Sequence, residues 1–290
     1  MFHRVTIIGL GLMGGSLGLA LRQARAAEQV IGYDPGRGVS EQASRVGAID
    51  RSYNELAEAV KGAELIILAT PVGTMHTLFQ ELATLATPGA VITDIASTKN
   101  QVISWAEEFL PGNLYFVGGH PMAGKELSGV EAADPTLFQN CTYCLTPTRK
   151  TSPAALNKVS QMIEMLGARV RFLEPAEHDG QVAQVSHLPF VAAAALMNTI
   201  ASGNSWGDSS LLASTGFRDT TRLAAGSPEM YRDICLTNSE ALVRSLDDYL
   251  ATLRAFRERI ATRDPHLQEL FARSQDLRQK WQDGQNKGPE

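Results

Sequence analysis

Three groups of residues in this chain of 290 are of types, and at spacings, that do chemistry. His120 stands in Gly118-Gly119-His120-Pro121, directly after an apolar run. Neighbouring glycines let a ligand come close to an imidazole, and the ring's ordinary pKa lies near neutrality, as a general base requires. A second apolar run, "VITDIASTKN", delivers Asp94, Ser97, Thr98 and Lys99. A third, "RVTIIGL", leads into Gly9-x-Gly11-x-x-Gly14 and an apolar helical stretch. In that context the glycines allow a tight turn and close approach of backbone to a pyrophosphate seated on a helix N-terminus. Asp34 ends the next apolar run, twenty positions after Gly14. A carboxylate there accepts hydrogen bonds from an adenosine ribose diol and repels a 2′-phosphate, so NAD is the expected cofactor. Arg37 is a cation able to meet that phosphate and leaves NADP open. Leu12 and Met13, inside the glycine motif, and Thr70-Pro71, at the end of "LIILAT", are expected to line the same site. An imidazole beside a nicotinamide can take the proton from an alcohol while the hydride leaves.

These groups need strand ends to carry them. Seven β-rich runs, from "RVTIIGL" to "RVRFLE", alternate with helical stretches as far as about Phe172. Several are apolar nearly throughout, as strands covered on both faces are. The pattern predicts an α/β fold, with a Rossmann-type, doubly wound, mostly parallel sheet over residues 1–173. From residue 174 to 290 long helical patterns take over, predicting an all-α C-terminal domain that binds substrate and dimerises. "HDGQVAQVSHLPFVAAAALMNTIA" reads as its first helix. Ser227-Pro228-Glu229 is a helix start, with a capping hydroxyl, a proline in the first turn and an acid near the positive end. Leu242, Leu246, Tyr249, Leu253, Phe256 and Ile260 form a helical packing seam, either internal core or dimer interface. The polar tail "DGQNKGPE" is expected to fray. Around Ser97, Thr98-x-x-Gln101 reads as a capping box, leaving Ser97 outside the helix and able to bond a neighbour.

Bulk properties narrow the class. A net charge of −5 with no basic stripe argues against a nucleic-acid partner. The longest apolar run is too short to span a bilayer, and Met1 leads straight into a strand pattern, so the cytoplasm is the expected compartment. Cys141-x-x-Cys144 lies in a strand pattern without a second pair, which favours a structural role and no metal.

Taken together, "GLGLMGGSL", "TDIASTK", "GGHPMAGKELSGVEAAD", "HDGQVAQVSHLP" and "STGFRDTTR" resemble the prephenate/arogenate (cyclohexadienyl) dehydrogenase family over nearly the whole chain. The resemblance implies NAD(P)-dependent oxidative decarboxylation of a cyclohexadienyl alcohol, prephenate or arogenate, in tyrosine biosynthesis. It implies that His120 accepts the ring hydroxyl proton, that Ser97 orients His120 and the nicotinamide, and that Arg222 binds the ring carboxylate. Ser186 and His187 would read the substrate side chain, with Glu126 near the cleft mouth. Phe190 stands where some members carry a second histidine, which leaves arogenate open as the substrate. Arg222 also reads as sitting in the first turn of a helix capped by Asp219, against the helix dipole. Two other readings compete. One is a β-hydroxyacid-type NAD dehydrogenase with Lys99 as base, and the other is a non-enzymatic NAD sensor.

Overall fold

The computed structural model describes residues 1–125 and 127–286, the side chains of 285 and 286 excepted. Glu126 lies outside the described residues. Eight strands form one sheet: β1 (Phe2–Ile8), β2 (Ala27–Tyr33), β3 (Arg51–Ser52), β4 (Leu65–Leu68), β5 (Val91–Asp94), β6 (Tyr115–Pro121), β7 (Thr142–Thr146) and β8 (Arg169–Phe172). Their order is β3-β2-β1-β4-β5-β6-β7-β8, with only the β6–β7 pair antiparallel. β1 and β4 are central, and Val5, Ile7, Leu65, Ile66 and Ile67 are wholly buried, which explains their unbroken apolar runs. The eighth strand, β3, escapes sequence reading because two residues at an edge carry no alternation.

Helices α1 (Leu12–Gln23), α2 (Val39–Arg45), α3 (Leu56–Val60), α4 (Met75–Leu85), α5 (Asn100–Phe109) and α6 (Pro153–Met165) alternate with the strands. Leu17 and Leu21 of α1 join Ile163 of α6 in one buried cluster, while Phe79 and Leu82 of α4 join Val102 of α5 in another, with strand residues in both. Burying each such side chain contributes roughly 1.5–3 kcal/mol. α1 lies close to the segment after β2 because Gly18 has no side chain: a Cβ there would collide with the Ala48 carbonyl.

After β8 come α7 (Pro175–Val182), α8 (Leu188–Ala201), α9 (Trp206–Ser210), α10 (Thr215–Thr221), α11 (Pro228–Thr237), α12 (Ser239–Ala261) and α13 (Leu267–Asn286). The run expected as one helix from His178 to Ala201 is interrupted by a π-helical turn, Ala183–His187. Pro189 has no N–H for the Val185 carbonyl and its ring crowds that group, and a widened turn accommodates both. α11 starts as read, with the Ser227 hydroxyl accepting from Met230 N–H at 3.3 Å. It stops at Thr237, so the pattern to Ile260 is two helices. α13 continues to Asn286, so the first half of the expected frayed tail is helical.

The chain forms two compact units, Met1–Leu242 and Val243–Glu290. In the second, Phe256 of α12 meets Phe271 of α13 edge to face at 5.4 Å. Along the predicted seam Leu242 is buried, while Tyr249, Leu253 and Ile260 are exposed. No helix among the described residues is long and apolar enough to cross a membrane.

Candidate active site

The glycine loop joins β1 to α1. Gly9 has φ +91°, a left-handed conformation that favours glycine, and a Cβ on it would press into the Ala69 carbonyl and the Thr70 methyl. A Cβ on Gly14 would strike the Gly9 carbonyl. Gly11 is the N-cap of α1 and faces open space. No side chain caps this helix and no acid stands in its first turn, so its N-terminal N–H groups are left for an anion. Leu12 is buried and Met13 half-buried on the first turn. The Asp34 carboxylate accepts from Leu10 N–H at 2.7 Å and from Gly36 N–H at 2.8 Å. It thus holds the glycine loop and the Asp-Pro-Gly turn together at the place expected of a ribose acceptor. Thr70, half-buried, accepts from the Thr74 hydroxyl at 2.8 Å, and Pro71 opens a 3₁₀ turn, Val72–Thr74. The residues fit a dinucleotide: a cradle that side chains would fill, a bare helix N-terminus and a carboxylate at the next strand end.

His120 lies near the end of β6 and is 9% exposed. Its Nδ1 is 2.8 Å from Nε2 of His178 in α7, and His178 Nδ1 is 2.8 Å from Asp179 Oδ1. Asp179 also accepts Lys99 N–H at 2.7 Å and Asn100 N–H at 2.9 Å. A carboxylate already accepting two N–H groups takes the proton of His178 Nδ1 as a third. His178 Nε2 is then the acceptor for His120 Nδ1–H, which leaves His120 Nε2 with a free lone pair. Burial above all, with His178 and the Lys99 ammonium close by, holds the His120 pKa well below its ordinary value, so the ring is unprotonated at physiological pH.

The same contacts correct the expected capping box. α5 begins at Asn100 and is capped from outside by Asp179, while the Thr98 hydroxyl pairs with Thr237 at 2.9 Å. Ser97 is half-buried in the bend just before it. Lys99 is fully buried, its ammonium paired with Asp94 and donating to the Gly119 carbonyl at 2.6 Å. An ammonium so enclosed has no path to a substrate, which counts against Lys99 as a base.

His187, in the π turn, is buried, and burial lowers its pKa to about 4. Asn238 Nδ2 donates to the Asp179 carbonyl at 2.8 Å and sits 3.2 Å from His187 Nδ1, which makes Nδ1 the acceptor and places the ring proton on Nε2. Ser186 is exposed on the same turn. Phe190 stacks face to face on Tyr231 at 4.0 Å, and the Tyr231 hydroxyl donates to the Leu223 carbonyl at 3.0 Å. Arg222 is exposed at the joint between α10 and the 3₁₀ turn Arg222–Ala225, close enough for its charge to oppose the rise that burial imposes on the Tyr231 phenol. Arg222 is therefore the C-cap of α10, where the dipole favours a cation, and Asp219 lies within that helix, paired with Arg218 at 3.0 Å. The expected conflict with the dipole does not exist.

The sequence shows two family regions. The nucleotide-binding domain of prephenate dehydrogenase matches residues 17–172, and the prephenate dehydrogenase dimerization domain matches 174–273. The chain belongs to the prephenate dehydrogenase family. The prephenate dehydrogenase of Bacillus subtilis is 36% identical over 96% of this chain and 76% of its own length. Among solved structures, the Aquifex aeolicus prephenate dehydrogenase in complex with hydroxyphenyl propionate and NAD+ has a TM-score of 0.91 at 31% identity, covering 97% of this chain and 98% of that one. The Synechocystis arogenate dehydrogenase has a TM-score of 0.80 at 33% identity, covering 96% and 99%.

Within this family frame, the sequence reading missed His178, Asp179 and Asn238, which order His120 and His187. The signal was the dipeptide His178-Asp179 opening the helical half, which reads as ordinary helix polarity until α7 is seen packed against the end of β6. Cys141 and Cys144 are free thiols, and burial raises both pKa values, which suits the structural reading. No cluster of metal-ligating side chains occurs among the described residues.

Proposed function

We infer that the chain catalyses the NAD-dependent oxidative decarboxylation of prephenate or arogenate. The observation that carries this reading is the His120–His178–Asp179 relay, which leaves a bare imidazole nitrogen near the carboxyl end of β6, on the same edge of the sheet as the glycine loop after β1. When bound, NAD supplies the hydride acceptor; Gly9, Gly11, Leu12, Met13, Gly14, Asp34, Thr70 and Pro71 hold it. His120 Nε2 takes the hydroxyl proton as the carbon bearing it gives up hydride. The charge that develops on His120 is met through His178 by the Asp179 carboxylate. The carbon–carbon bond to the ring carboxylate then breaks, its electron pair enters the ring, and carbon dioxide leaves. His120 returns the proton to the oxygen of the new phenol, so no net proton is consumed. Ser97 orients His120, and Arg222 holds the ring carboxylate. Arg222 acts mainly in binding, because tighter hold on the ground-state anion would slow its loss.

The substrate side chain falls to Ser186, His187 and, as the family resemblance implies, Glu126. A neutral His187 and an apolar Phe190 present no cation to a keto acid, so both substrates belong to the reading. The functional division is residues 1–173 for the dinucleotide and 174–290 for substrate and dimerisation. The exposed Tyr249, Leu253 and Ile260 supply apolar surface for a homodimer. The enzyme works in the cytoplasm.

The test is NADH absorbance with prephenate and with arogenate, each with NAD and NADP. Reduction of NAD by at least one substrate is expected, and no reduction by either sinks the reading. Light scattering is expected to give twice the mass of one chain.

A further inference from the structure

The ladder between β5 and β6 stops at Thr93 and Val117, but β6 runs on to Pro121. Beyond that point the N–H and C=O of Gly119 are satisfied by side chains. Gly119 N–H donates to Asp94 Oδ1 at 3.0 Å, and its carbonyl accepts from Lys99 Nζ at 2.6 Å. The ammonium also pairs with Asp94 Oδ2, which takes Ala96 N–H at 2.9 Å as well. Both charged side chains are 0% exposed. The ion pair therefore continues the sheet by two rungs where the β5 backbone has turned away, and the next residue is His120. There is no slack: a Cβ on Gly119 would lie 2.7 Å from the Asp94 carbonyl and 3.0 Å from the Tyr143 ring.

Lys99 is tied to the other end of the relay too. Its backbone N–H donates to Asp179 Oδ1, the oxygen that faces His178. One residue thus sets both the strand that carries His120 and the carboxylate that orients it.

We propose that the buried Lys99–Asp94 pair is a positioning device for His120, fixing the ring through Gly119 and setting the Lys99 ammonium behind it. This rests on the reading of His120 as the base. The groups facing His120 are His178 of α7, His187 of the π turn, Lys99, and Cys144 of β7, with Asp179 behind His178 and Asp94 behind Lys99. Burial lowers the Lys99 pKa while pairing with Asp94 holds the charged form, and that charge opposes protonation of the ring.

The experiment compares wild type, Lys99→Met, and the double variant Asp94→Asn/Lys99→Met, which leaves no unpaired buried charge. Exchanging a whole buried pair for neutral groups often costs little stability, so function and folding separate here. Three quantities are read: melting temperature, kcat and KM, and the pH at which the His120 ring titrates by NMR in the free protein. In a folded variant we expect kcat to fall at least about tenfold with KM for NAD changed less than about threefold. In Lys99→Met the His120 titration should move to higher pH, because an opposing cation has gone, and in the double variant, where the paired charges leave together, it should move less. A folded variant with wild-type kcat and unmoved titration overturns the proposal, as does failure of both variants to fold, which would make the pair an element of the fold alone. The NMR titration needs no substrate. If wild type reduces no NAD with either substrate, the functional reading fails while the clamp is still judged by the movement of His120.

Discussion

His120 and His178 share a hydrogen bond of 2.8 Å between Nδ1 and Nε2, joining the end of a strand to the first helix beyond the sheet. The bond fixes which nitrogen of His120 is bare, and the Asp179 carboxylate fixes the direction of the whole series. His178→Asn is expected to lower kcat by about 10²-fold with KM little changed, because the wrong tautomer of His120 becomes accessible. Asp179→Asn should do the same and also lower the melting temperature, since its amide faces the N–H groups that start α5. Steady-state kinetics and thermal melts check both, and wild-type kcat in His178→Asn would refute the relay.

His120→Asn and Arg222→Ala should separate chemistry from binding. The first is expected to lower kcat by about 10²–10⁴-fold, and the second mainly to raise KM for the cyclohexadienyl substrate. The reverse split would exchange their roles.

Asp34→Ala removes a carboxylate that both stands at the ribose position and holds Leu10 N–H. Loss of a charged hydrogen bond predicts NAD binding weaker by about 10- to 100-fold, with NADP affected less because the 2′-phosphate no longer meets a negative charge. Equal losses in titrations with the two cofactors would remove Asp34 from the choice between them.

Acid should destabilise the fold in a defined window. The His187 pKa falls from an ordinary value of about 6.5 when unfolded to about 4 when folded. Above the higher value both states are neutral and stability is whole. As pH falls through the window the unfolded chain takes a proton that folded His187 refuses, so stability drops, by about 3 kcal/mol at most from this residue. His120, also held low, adds to the loss in the same direction. Melts from pH 7 to pH 4.5 should show a falling melting temperature, and His187→Gln should flatten the slope.

The parts of this molecule that a sequence discloses are those written in local order. Val5 to Ile8 and Leu65 to Leu68 are apolar in unbroken runs because both faces are covered, and the glycine spacing before α1 declares its own turn. His120 was visible because glycines and a proline surround it. The hydrogen bonds that govern it were hidden because they join residues 58 and 80 positions apart in the chain. The start of α5 misled for the same reason: Thr98 had a plausible local use as a cap, but Thr237 and Asp179, both distant, took the two roles. The supposed cap of Arg222 failed on helix phase, since α10 begins at Thr215, four residues before Asp219.

The helix bearing His178 and Asp179 begins after the last strand, in the stretch matched by the dimerization region of the family. A chimaera cut at residue 173 would therefore transplant part of the acid–base apparatus along with the new helices. Engineers exchanging C-terminal halves to alter substrate range would be rewiring a proton's resting place, and hybrids should keep activity only when the donor half brings its own histidine–aspartate step in register with the recipient's strand.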